Sequence, residues 1–136
     1  MSEQNVETVE RLIAAWIADD LDAYLAELDR DLEWYPSIEP GLEGKAAVFR
    51  GHDDIRAAWR EYRGGAWERL VPRPKEIRDL GESVLVLAQI DLTARATGIE
   101  FTQEIGQLIE LRRGKIVRVR DFLTHAEALE AAGLRE

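Results

Sequence analysis

Between Val84 and Leu123 the apolar positions fall into three consecutive runs that predict antiparallel strands, and their two faces can be sorted residue by residue. The first run, Val84 to Arg95, alternates at period 2 in its second half. A turn at Ala96-Thr97-Gly98 leads to a second run from Ile99 to Leu111. Arg112-Arg113-Gly114 then closes a hairpin onto Lys115 to Leu123. Glycine at the third position of that loop predicts a type I turn with a bulge, pairing Leu111 with Lys115. A two-residue Thr97-Gly98 turn would pair Arg95 with Glu100 and Thr93 with Thr102. These registers collect Val84, Val86, Ala88, Ile90, Leu92, Ala94, Phe101, Ile105, Ile109, Leu111, Val117, Val119 and Leu123 on one face. On the two later strands only Gln103, Gln107 and Asp121 interrupt it. The other face carries Gln89, Asp91, Arg95, Glu100, Glu104, Glu110, Arg118 and Arg120, a solvated or partner-facing lattice of mixed charge.

Upstream the period changes. From Glu3 to Ala18, Val6, Val9, Leu12, Ile13, Trp16 and Ile17 form one stripe of an amphipathic helix. Asp20 caps a second helix with Leu21, Tyr24, Leu25 and Leu28 inward. Leu32 to Tyr35 alternates as a short strand stopped by Pro36. Ser37 to Lys45, with Pro40, Gly41 and Gly44, reads as a loop placed to act as a lid. Gly51-His52-Asp53-Asp54 opens a third helix bearing Ile55, Ala58, Trp59 and Tyr62, which Gly64-Gly65 ends. Pro72 and Pro74 confine any strand between Trp67 and Asp79 to a sheet edge. Thr124-His125-Ala126-Glu127 is a capping box for a short helix with Leu129 inward and Gly133 as its stop.

Helices first and long strands afterwards predict an α+β domain: a curved antiparallel sheet wrapped on three N-terminal helices, with a short C-terminal helix. At 136 residues one domain spanning 1–136 is expected. The absence of cysteine excludes disulfides and thiolate metal sites and fits a reducing compartment. No apolar run approaches the about 20 residues of a membrane span, and the N-terminus lacks signal-peptide regions, so a soluble, cytoplasmic chain without a membrane partner is expected. Eighteen basic against 27 acidic residues give a net charge of -9, which argues against a nucleic-acid partner.

The order and spacing of several short motifs carry a resemblance over nearly the whole chain: Ala14-Ala15-Trp16 to Asp20-Leu21-Asp22, Asp31-Leu32-Glu33-Trp34-Tyr35-Pro36, Phe49-Arg50-Gly51-His52 before Ile55, and Gly114-Lys115-Ile116-Val117-Arg118 to Glu127-Ala128-Leu129. Together they resemble the nuclear transport factor 2-like superfamily, in its SnoaL-like branch. That resemblance implies a cone-shaped barrel with an apolar pocket between sheet and helices, a homodimer through the outer sheet face, and relatives that include steroid isomerases, polyketide cyclases, dehydratases and epoxide hydrolases. Carried over by position, the isomerase tyrosine falls near Leu12 and its general base at Tyr35 or Pro36, neither suited to the role. Its oxyanion-binding acid falls near Gly106 or Gln107, and the Asp-Arg-Asp set of the epoxide hydrolases is not reproduced. SnoaL-like cyclases use an aspartate as acid-base catalyst, which points to Asp121.

The residues alone lead to Asp121 as well, because a carboxylate on an apolar face has its pKa raised toward the working range of a general acid or base. A structural tie to a helix would explain it equally. Gln107, or Gln103 on the same face, is the candidate for stabilising developing oxygen charge. Trp16, Tyr24, Trp34, Tyr35, His52, Trp59, Gln103 and Val119 are candidate ligand-binding residues, though aromatics at helical spacing also build cores and His52 also fits a helix start. The histidines are too far apart, without clustered carboxylates, for a metal site, and no cofactor is expected. The readings left are an acid-base enzyme of isomerase, cyclase or dehydratase type acting on a small apolar molecule, a pocket that binds without chemistry, and a dimerisation domain.

Overall fold

The computed structural model describes residues 2–37 and 48–134. The loop predicted at Ser37 to Lys45, and with it the lid, lies outside the described residues except for Ser37. Helices α1 (Ser2–Ile17) and α2 (Leu21–Ala26) precede strand β1 (Leu28–Tyr35). The short strand β2 (Phe49–Arg50), helix α3 (Gly51–Gly64), strands β3 (Trp67–Asp79), β4 (Ser83–Ala94), β5 (Glu100–Arg112) and β6 (Lys115–Phe122), and helix α4 (His125–Ala131) complete the order. The six strands make one curved sheet in the order β2-β1-β6-β5-β4-β3. All neighbours are antiparallel except β1 and β6, which run parallel.

Helix α1 buries Val9 and Leu12 fully, each worth roughly 1.5–3 kcal/mol. The predicted stripe ends at Trp16; Ile17 is exposed. Asp19, in the left-handed region at φ 56°, breaks the chain between α1 and α2, and the Asp20 carboxylate accepts from the Ala23 N–H at 3.1 Å. Leu28, expected on α2, instead begins β1. There it pairs with Ile116, while the Ile116 N–H bonds the Glu27 carbonyl and Lys115 donates to the Ala26 carbonyl. Pairing with β6 thus takes over the backbone groups that a longer helix would have used.

Both hairpins differ from the predicted registers, the first by two residues and the second by one at its turn and by two beyond a bulge. At the first, Thr93 lies opposite Glu100 rather than Thr102. Arg95 leaves the ladder there: its N–H bonds the Ala66 carbonyl, and its guanidinium donates to the carbonyls of Arg63, Gly65 and Trp67, closing the end of α3. At the second, Arg113 (φ 53°) and Gly114 (φ 77°) form a two-residue type I′ turn that pairs Arg112 with Lys115. A bulge at Val117 follows, so Ile116 is buried in its place and Gln107 faces Asp121. A slip of two returns every side chain beyond it to its predicted face.

The inner face packs Val84, Val86, Ile90, Leu92, Ile105, Ile109 and Val119 against α1, α2 and α3. Phe101 and Leu123, counted on that face, lie beyond the helices and are exposed. Strand β3 is an edge, as its prolines require, with Pro72 and Pro74 opposite Ile90 and Ala88. On the outer face Leu85 and Leu87 pack on Ala128 and Leu129 of α4. A Cβ at Gly106 would stand 2.3 Å from that of Ala128, so glycine is what lets α4 approach β5. Thr124 caps α4 through the Glu127 N–H at 3.1 Å.

Candidate active site

Between the inner face and the three N-terminal helices lies a cavity of about 130 Å³. Its roof is aromatic: Trp16 from α1, Tyr24 from α2, and Trp59 and Tyr62 from α3. Trp34 on β1 and Phe49 on β2 close one side, and Leu70, Pro72 and Pro74 of β3 the other. The rings brace one another. Trp16 meets Trp59 edge-on at 4.7 Å between centroids, Tyr24 meets Trp59 at 4.9 Å, and Tyr24 stacks near-parallel to Trp34 at 6.3 Å. Trp16 is pinned from behind, its Nε1–H donating to the Leu70 carbonyl at 2.8 Å.

Into this apolar floor projects Asp121. It sits opposite Gln107 in the β5–β6 ladder and two residues beyond Val119, the parallel partner of Trp34. The Trp34 Nε1–H donates to its Oδ2 at 3.0 Å, and Gln107 Nε2 donates to its Oδ1 at 2.9 Å. Burial pushes the Asp121 carboxyl up to about 6, and the hydrogen bonds from Trp34, Gln107 and the Ser37 backbone oppose that rise without cancelling it. All three donors are uncharged. Burial also raises the Tyr24 phenol above its ordinary value, helped by the negative charge of Asp121 and by Tyr62, while Arg63 opposes. Tyr24 therefore stays protonated and able to donate.

The family model of the SnoaL-like domain matches residues 9–119. The chain belongs to the SnoaL-like family. No curated protein matches it. Among solved structures it is similar to a nuclear transport factor 2-like protein of unknown function from Burkholderia pseudomallei, at 27% identity over 96% of this chain and 97% of that one, with a TM-score of 0.80. It is also similar to TerC co-crystallised with polyporic acid (20% identity, 93% and 96% covered, TM-score 0.79). A third is a hypothetical protein with a ketosteroid isomerase-like fold from Catenulispora acidiphila in complex with trimethylamine (18% identity, 95% and 94% covered, TM-score 0.71). The last two likenesses speak of the fold alone.

Six of the residues singled out from the sequence meet around the cavity of this SnoaL-like chain: Trp16, Tyr24, Trp34, Trp59, Gln107 and Asp121. Four stand elsewhere. Tyr35 points to the outer face, where its hydroxyl donates to Glu33 at 3.2 Å and the Arg118 guanidinium lies 5.3 Å from its ring. His52 bonds the Leu28 carbonyl through Nε2 at 2.9 Å, tying the start of α3 to β1. Gln103 donates to the carbonyl of Glu104, at 3.0 Å, and of Leu123. Val119 is fully buried in the core and does not line the cavity. Leu70, Pro72 and Pro74, not proposed from the sequence, had a signal in their period of two on an edge strand; Phe49 had none. Among the described residues no group of His, Asp or Glu side chains is arranged to hold a metal. No helix there is long and apolar enough to cross a membrane.

Proposed function

We propose that this SnoaL-like chain binds a small, mostly apolar molecule in the cavity and exchanges a proton with it through Asp121, in a reaction of isomerase, cyclase or dehydratase type. The observation that carries the reading is a carboxyl group held in orientation by Trp34 and Gln107 at an apolar hollow. With a pKa of about 6, Asp121 is roughly nine-tenths ionised at pH 7, enough to accept a proton and weak enough to return it. Gln107 keeps a second N–H for a ligand oxygen, and the Tyr24 hydroxyl is a further donor. A binding role without chemistry is the second reading. It is favoured by Asp121 being the one carboxyl or imidazole among the described residues that line the cavity.

The two readings separate in one experiment. A thermal-shift panel of small apolar molecules, each with one ketone, alcohol or amine group, supplies ligands, and each hit is followed by NMR in D₂O with the wild type and Asp121→Asn. Catalysis requires deuterium to enter the ligand with the wild type at least about 100-fold faster than with the variant. Stabilisation without exchange leaves the binding reading, and a panel without hits removes the pocket reading. A homodimer through the outer sheet face and a cytoplasmic location complete the proposal. Charge reversal at Arg118 and Arg120 is expected to weaken that dimer in sedimentation.

A further inference from the structure

We infer that the occupant of the cavity is a small alkylated ammonium ion, held by Asp121 as counter-ion and by the faces of Trp16, Trp34 and Trp59. This rests on the pocket reading above but not on proton transfer. The cavity combines an anionic group with several aromatic walls, and among the described residues that line it there is no Lys, Arg or His. Among the described residues every side chain bonded to Asp121 is neutral, so none of them compensates its charge. A neutral apolar guest would strip water from that carboxylate and deepen the cost already seen in its raised pKa. A cation would remove the cost, because it supplies the missing opposite charge while its alkyl groups replace water on the apolar walls.

The indoles are suited to the same guest. Aromatic faces attract cations, more strongly when both are desolvated, and an alkylated cation gives up its water at less cost than a bare ammonium. Two of the three already hold one from outside the cavity, with the Arg63 guanidinium 4.2 Å from the centre of Trp16 and 4.7 Å from that of Trp59. The volume of about 130 Å³ is close to that of an apolar cavity of roughly 150 Å³ that takes benzene, a fit for a tetra-alkylated nitrogen but not for a long hydrocarbon. The chain's net charge of -9 also draws cations toward it.

The test compares tetramethylammonium with neopentyl alcohol, a neutral molecule of nearly the same shape, at matched ionic strength, by tryptophan fluorescence and thermal shift. At pH 8 the cation is expected to bind at least tenfold more tightly than the alcohol. Asp121→Asn should abolish that preference, weakening the cation at least tenfold and tightening the alcohol, which no longer strips water from a carboxylate. Trp59→Leu should weaken the cation more than the alcohol. Alcohol binding equal to or tighter than cation binding in the wild type overturns the inference and leaves the pocket reading standing. Binding of neither probe overturns both. Cation binding that survives Asp121→Asn undiminished removes the counter-ion and with it the inference.

Discussion

One sheet carries two aspartates whose surroundings drive their ionisation in opposite directions. Asp121 faces inward, and burial lifts its pKa to about 6 although three hydrogen bonds oppose the rise. Asp91 faces outward on β4. Arg73 donates to it at 2.6 Å and Thr102 at 3.2 Å, and its pKa is lowered, first by the Arg73 hydrogen bond. Both carboxylates are therefore well supplied with donors. What differs is the charge on the donor and the access of water: an indole and an amide orient Asp121 without compensating it, whereas a guanidinium at a wet surface compensates Asp91. Hydrogen-bond count alone does not mark a candidate active site; an oriented but unneutralised charge does.

The largest expected effect breaks the inner half of that contrast. Because the folded pKa of Asp121 is raised, its favourable contribution to folding is complete below its unfolded value near 3.8 and is lost as pH rises through about 6. The change amounts to roughly 3 kcal/mol, an upper figure since asparagine cannot accept every bond the carboxylate does. Asp121→Asn should accordingly be more stable than the wild type at pH 8 by up to that amount and nearly equal to it at pH 4, in urea unfolding at each pH. A pH-independent difference would mean that the carboxyl is hydrated. Next in size is a change on the outer face that touches no charge. Gly106→Ala forces α4 off β5 and should cost about 1–3 kcal/mol, the same at pH 5 and pH 8. Adding Ala128→Gly should recover part of it, since the clash is with the Ala128 Cβ.

The sorting of the two faces was legible in the sequence because it depends on parity, and parity survived both errors of register except between the second turn and its bulge, where Ile116 replaces Val117 on the inner side. Residues such as Gln107 and Asp121 kept their side because the first hairpin slipped by two and the second by one at its turn and one more at its bulge. Their partnership was only half legible: the predicted ladder placed Ile105 opposite Asp121, and the true pair needed the Val117 bulge, which no local residue announces. Trp34 on β1 could be assigned a strand but not a neighbour. Its meeting with Asp121 depends on the parallel pairing of β1 with β6, formed by segments some eighty residues apart. His52 and Tyr35 misled because polarity near a predicted pocket says nothing about which carbonyl or carboxylate will satisfy it. A backbone carbonyl in β1 took the first and an outer-face glutamate the second.

The smallest effect lies at the outer aspartate and has the opposite sign. A lowered pKa means that Asp91 contributes stability above its unfolded value near 3.8 and loses it as pH falls through the folded one. Asp91→Asn should therefore lower the melting temperature slightly at pH 7, by less than Asp121→Asn raises it, and make no difference in strong acid. Arg73 is largely exposed, so solvent already screens the pair and added salt should shrink the loss further, while the Asp121 effect, which comes from desolvation and not from a charged partner, should change less in 1 M NaCl. Melting curves of the two variants with and without salt would settle whether donor charge and wetting govern both sites. A salt-resistant loss at Asp91 would place that carboxylate, too, in a water-poor setting, and the contrast between the faces would then rest on the guanidinium alone.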